Sequence, residues 1–149
     1  LAPHLLDFAV FQYSPDGTVL QKMDTTVAGD DEHKIHTWPF TAIRLTNGNT
    51  LVGCTNGNRV IELNPKNEIV WSLTNDDLEK PLLADACGVQ RLPNGNTVVT
   101  SYRAKGSQVK LFEVTPAKEV VWTYSGMKAG FHNFQVLTTN GKSIDGSMR

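Results

Sequence analysis

Long apolar runs are missing from this sequence. No stretch approaches the ~20 apolar residues a helix needs to cross a bilayer, so no membrane span is expected. Net charge is almost missing too. At −1 it gives no electrostatic reason to expect nucleic acid or an anionic membrane as partner. Cysteine is scarce: Cys54 and Cys87 fit no metal-ligand spacing and no CxxC redox motif. They read as small buried residues, and a disulfide stays open because pairing needs Cα atoms within ~7 Å. No segment keeps helical periodicity over three turns. A GxSxG nucleophile elbow is absent, and no Ser or Cys stands beside a recognisable base. There is no basic and apolar leader either. Opening on Leu1, the chain reads as processed or cut from something larger.

What is present is ordinary globular composition, 40% hydrophobic and 19% charged over 149 residues, enough for one domain with a core. It is organised as an internal repeat. TAIRLTNGNTLVGCTNGNRVIELNPKNEIVWSL, Thr41 to Leu73, is answered by GVQRLPNGNTVVTSYRAKGSQVKLFEVTPAKEVVWTY, Gly88 to Tyr124. Within each copy four short strands alternate with turn signals. Asn-Gly marks hairpins, because both central positions of a type I′ turn need φ > 0. Pro15, Pro65 and Pro116 open equivalent turns 50 and 51 residues apart. Asn47, Asn94 and Asn140 open another set 47 and 46 apart. Gln21 stands where the other copies have Trp71 and Trp122, a repeated position that argues for packing between repeats.

A four-strand meander at this period predicts an all-β chain of β-propeller blades. Outer strands of one blade span 1–24, full blades span 38–74 and 86–125, and inner strands of another span 131–149. That amounts to about three blades, against the ~4 to 8 of closed rings. The expectation is a piece of a longer chain, or self-association of copies. Outer strands at one end and inner strands at the other would let two chains share blades.

Three interludes interrupt the repeat: a polar loop of about a dozen residues from Thr25 to His36, then TNDDLEKPLLADA, then SGMKAGFH. With the turns at Asn56 and at Tyr102-Arg103-Ala104-Lys105, they are expected on one face. Candidate residues follow from chemistry. His36 and His132 with Asp85 and Arg103 would supply acid–base groups if they converge. Trp38, Tyr102, Arg103, Lys105 and His33 would supply stacking and charge-assisted hydrogen bonds to a ligand. His33-x-x-His36 names only two ligands, so no metal site is specified. The acidic clusters Asp30-Asp31-Glu32 and Asp76-Asp77 offer oxygens that suit Ca²⁺, without an EF-hand spacing.

At RVIELNPKNEIVWSL and FEVTPAKEVVWTY, with TNGNTLVG and RLPNGNTVV, the chain resembles propeller repeats of the PQQ-like (quinoprotein-like) and arylsulfotransferase-like type. The resemblance covers nearly the whole chain. It implies a periplasmic or secreted protein and, in the arylsulfotransferase-like group, histidines on inner strands, where Phe131-His132-Asn133-Phe134 falls. The quinoprotein docking motif is not matched: Leu63 to Trp71 lacks its Asp and Gly and is one residue shorter. No PQQ cofactor is therefore expected. Two function classes remain: a binding or interaction scaffold for a carbohydrate, small anionic ligand or protein, and an extracytoplasmic enzyme with a His-containing site. An architectural, self-assembling fragment is the third reading.

Overall fold

A computed structural model describes residues 1–26, 37–126 and 128–144. The described residues form four antiparallel sheets and almost no helix. The first sheet is β1 (Ala2–His4), β2 (Ala9–Tyr13) and β3 (Val19–Asp24). The second is β4 (Trp38–Arg44), β5 (Thr50–Thr55), β6 (Arg59–Leu63) and β7 (Ile69–Thr74). A one-turn 3-10 helix, Asn75–Asp77, follows it. The third is β8 (Val89–Arg91), β9 (Thr97–Thr100), β10 (Leu111–Val114) and β11 (Val120–Tyr124). The short pair β12 (Thr138–Thr139) and β13 (Lys142–Ser143) forms the fourth. Both four-stranded sheets are simple meanders, each strand bonded to its sequence neighbour.

The repeat in sequence is a repeat in backbone geometry. Register shifts occur at one repeat position in three sheets: between Gln12 and Tyr13, Glu62 and Leu63, and Glu113 and Val114. An extra residue there sharpens the local twist. The proline turns close alike. Asn64 N–H donates to Glu68 O at 2.9 Å, as Thr115 N–H does to Glu119 O and Ser14 N–H to Thr18 O.

The Asn-Gly turns at Asn47, Asn94 and Asn140 divide into two kinds. Asn140 and Gly141, with φ of 49° and 75°, both lie in the left-handed region and close the two-residue hairpin of β12 and β13, as type I′ requires. At Asn47-Gly48 and Asn94-Gly95 the expected type I′ turn is replaced. Only the glycine has positive φ, 86° and 87°, and the hairpin closes over three residues, Leu45 N–H to Asn49 O at 2.8 Å. This is a type I turn with a glycine bulge. Asn47 is held out of the left-handed region by its own side chain, whose Oδ1 accepts the Asn49 N–H at 3.0 Å.

Two apolar seams join the sheets. Val10 and Met23 of the first meet Val52, Cys54, Ile61 and Leu63 of the second. Leu51, Val60 and Leu73 on its other face meet Val89, Val99, Phe112 and Val114 of the third. A polar clamp accompanies each. Gln21 Nε2 donates to Pro65 O at 3.1 Å and Arg44 Nη2 to Gln12 Oε1 at 2.7 Å. Trp71 Nε1 donates to Pro116 O at 3.0 Å, while Arg91 pairs with Glu62 at 2.6 Å and lies over the Trp71 ring. Gln90 ties the third sheet to the segment before β12, its amide bonding both ways to the backbone of Val136.

Candidate functional site

One end of the sheets gathers the long loops. Asp85 is their junction. Its side chain is 8% exposed, and its backbone takes a left-handed φ of 59°. Asn56 N–H donates to its Oδ1 at 2.9 Å, and its own N–H donates to Asn58 Oδ1 at 2.9 Å, fixing it to the β5–β6 turn. The β9–β10 loop docks beside it, with Tyr102 N–H on Asp85 O at 3.1 Å and Arg103 N–H on Ala84 O at 2.9 Å. These bonds aim the Arg103 side chain back at Asp85, and Nε meets Oδ2 at 2.7 Å. The guanidinium is 66% exposed. It is held through Nε, and its terminal nitrogens have no hydrogen-bond partner among the described residues.

The same loop is braced from within. Lys110, fully buried, donates from Nζ to Ala104 O, and its backbone ties Ser101 to Tyr124. Nothing in the sequence singled Lys110 out for this role. Without that anchor, the carbonyl of Ala104 would be buried without a partner.

Beside the ion pair lies a stack of rings. The His132 imidazole sits 3.7 Å from the Tyr102 ring centroid at 21° and 5.4 Å from that of Phe40 at 15°. Two glycines permit this approach. A Cβ on Gly130 would fall 1.8 Å from Tyr102 O, and one on Gly88 would fall 2.8 Å from His132 O. Phe40 reaches the stack from a bulge in β4: Pro39 faces Cys54 and Thr41 faces Gly53, so Phe40 has no cross-strand partner. Phe40 and Tyr102 stay over a third exposed. Sequence reading named Tyr102 and His132 but not Phe40, whose only signal was an aromatic residue following Pro39.

The remaining candidates separate. Trp38 stands two residues before Phe40 on β4, and its buried Nε1 has no hydrogen-bond partner among the described residues. Lys105 is exposed at the loop tip, its N–H bonded to Gln108 Oε1 at 2.5 Å. Asp77 is committed to structure: its Oδ2 accepts the Thr74 N–H at 2.8 Å and its Oδ1 takes Lys118 Nζ at 2.7 Å. Burial opposes its ionisation, but these donors outweigh it and hold the carboxyl below its usual range. Among the described residues no group of three or more His, Cys, Asp or Glu could hold a metal ion. His33, His36 and the Asp30-Asp31-Glu32 cluster lie outside the described residues.

Both cysteines are free and buried. Burial pushes the Cys54 thiol up to about 12. Cys87, whose Sγ faces Thr55 Oγ1 at 3.5 Å, is raised by burial too, which the Thr55 hydrogen bond and Arg103 offset in part. Neither is a thiolate nucleophile at neutral pH. At the opposite end of β4 an open groove of about 850 Å³ runs between Ile43, Leu45, Gln90, Leu92, Gln135 and Val136, with the Glu62–Arg91 pair at its wall.

No protein-family model matches the chain, and no curated protein matches it in sequence. Solved structures do match its fold. A protein of unknown function from Bacteroides caccae superposes with a TM-score of 0.66 at 24% identity, over 81% of this chain and 43% of that one. A protein of Bacteroides fragilis NCTC 9343, described as a candidate exported protein, superposes with a TM-score of 0.58 at 9% identity, over 84% of this chain and 36% of that one. The chain thus spans less than half the length of either structure. No helix among the described residues is long and apolar enough to cross a membrane. The chain is an all-β protein similar in fold to these two Bacteroides proteins.

Proposed function

We propose that the chain is a segment of a β-propeller that works as an extracytoplasmic binding scaffold, and that its loop end takes an acidic carbohydrate. The observation that carries the ligand class is Arg103, an exposed guanidinium held in place by the buried Asp85 beside the Tyr102–His132–Phe40 rings. A cation of fixed position pairs with a carboxylate or sulfate, and exposed ring faces suit a flat sugar face. Support for the propeller comes from the bulge and clamp that recur at one repeat position. The extracytoplasmic reading draws on the resemblance to PQQ-like repeats and on the description of the B. fragilis protein.

The test is a titration of the chain with a uronic-acid or sulfated disaccharide and its neutral counterpart, followed by NMR. The expected result is shifts at Phe40, Tyr102, Arg103 and His132 with the acidic sugars only, lost by at least about tenfold in affinity in R103A and Y102A. Equal binding of the neutral sugar, or shifts elsewhere, would overturn the assignment. Turnover of an aryl sulfate that H132A abolishes would replace the scaffold by an enzyme.

A further inference from the structure

Among the described residues, the outer face of the third sheet is left partly uncovered. On the second sheet, Leu73 and Val60 are fully buried and Trp71 is clamped onto the Pro116 turn. Their equivalents on the third are Tyr124, Leu111 and Trp122. Tyr124 is 37% exposed and Trp122 47%. The two rings stack on each other, 6.3 Å apart at 9°. Residues before and within β12 and β13 cover only the inner part of this face, where Gln90 meets Val136. A contiguous apolar patch of this kind marks an interaction surface.

The first sheet carries the complementary defect. Phe11 and Tyr13 occupy the positions of Ile61 and Leu63 in the second sheet and of Phe112 and Val114 in the third, all four of which are fully buried. Tyr13 is 37% exposed instead. Pro15 O is the equivalent of Pro65 O and Pro116 O, each of which receives a side-chain donor from the preceding sheet. Among the described residues Pro15 O receives none. Trp122 Nε1, the equivalent of the two donors, likewise has no hydrogen-bond partner among the described residues.

We infer that the outer face of the third sheet seats the first sheet of a second copy of this chain, with Trp122 donating to Pro15 O of that copy. The two seams inside the chain state what such a contact needs, and Trp122 and Tyr124 on one face and Phe11 and Tyr13 on the other stand at its positions. Because β1 already fills the place beside β2 that β5 and β9 fill beside β6 and β10, the two copies would meet face to face rather than by sharing a sheet. The contact is heterologous, and it closes between two copies when the rotation relating them is a half-turn. It rests on the recurrence of the seams and is independent of the sugar site at the loop end.

The test is native mass spectrometry and sedimentation of the 149-residue chain at tens of micromolar, with W122E and Y13E as variants. The wild type is expected to be a dimer and each variant a monomer. An equimolar mixture of the two variants regains a heterodimer, because one unaltered contact remains. A monomeric wild type, as when further modules of a longer chain cover the face, overturns the proposal. So does a series of growing oligomers, or a dimer that survives W122E. Should a variant fail to fold, hydrogen exchange of the wild type decides. Protection of residues 11–17 and 120–124 must rise with concentration, and concentration-independent exchange overturns the contact.

Discussion

Asp85 and Arg103 form an ion pair of unequal halves, 2.7 Å apart, with the carboxylate 8% exposed and the guanidinium 66%. The halves therefore differ in what their loss costs. Asp85→Ala leaves the Asn56 N–H without its acceptor and frees the docked loop, and should destabilise by about 2–4 kcal/mol. Arg103→Ala leaves a carboxylate that still accepts from Asn56, with water able to enter the place of an exposed side chain. It should cost less than about 1 kcal/mol while removing the cation proposed to meet an acidic ligand. Urea unfolding of both variants checks this, and equal losses would contradict it.

Glu62 and Glu113 share one repeat position but not one environment. Each accepts from the asparagine of its sheet at 2.6 Å, Asn49 or Asn96. Only Glu62 also meets an arginine, because the position of Arg91 is taken by Val136 in the next copy. Glu62→Ala leaves a guanidinium 19% exposed without its partner and should cost about 3 kcal/mol. Glu113→Ala should cost about 1 kcal/mol. Thermal unfolding of the pair measures the difference directly. Comparable shifts would mean that the arginine adds nothing.

Legibility in the sequence followed the range of the physics involved. The strand RVIEL coincides with β6, because alternation and its two flanking turns are local signals. β1 escaped notice, since Ala2, Pro3 and His4 carry no alternation and are strand only through pairing with β2. Asn-Gly announced hairpins but not their type, which the length of the loop decides. Asp85 and Arg103 were nameable as charged residues on neighbouring loops. Their pairing was not, because it depends on backbone bonds from Ala84 and Asp85 to a loop that begins some fifteen residues later. The Phe40–His132 contact spans still more of the chain and needs a bulge that no residue type announces.

Alkaline pH should find a weakness at Cys54. Its thiol is buried and raised from 9.0 to about 12. Above pH 9 the unfolded chain loses this proton while the folded chain retains it, so the unfolded state gains. The contribution is whole below pH 9 and is lost as pH rises toward 12. The slope approaches ~1.4 kcal/mol per pH unit for the one group. Cys54→Ala should remove that slope at the expense of a lower stability at neutral pH, since it opens a small cavity. Urea midpoints at pH 8 and pH 10 compare the two. A wild-type stability that stays flat across that interval, once compared with Cys54→Ala, would show the thiol ionising freely in the fold.

The proline turns expose a different strain. Their fourth residue is left-handed in every copy, and the sequence fills it with Gly17, Asn67 and Lys118, at φ of 86°, 65° and 70°. Glycine accepts this conformation without steric cost, whereas an L-residue incurs roughly 1–2 kcal/mol, less for asparagine. Asn67 gains no offset, because its buried Oδ1 has no partner among the described residues. Asn67→Gly should therefore stabilise by about 0.5–1 kcal/mol, even with the extra freedom glycine gives the unfolded chain. Lys118 does have an offset in its 2.7 Å ion pair with Asp77, about a quarter to a third exposed at both ends. Lys118→Gly relieves the backbone and loses that pair, two effects of about 1 kcal/mol and opposite sign. It should leave the urea midpoint nearly unchanged. A midpoint that falls in Asn67→Gly would show that the Asn67 side chain makes a packing contribution larger than the strain it causes.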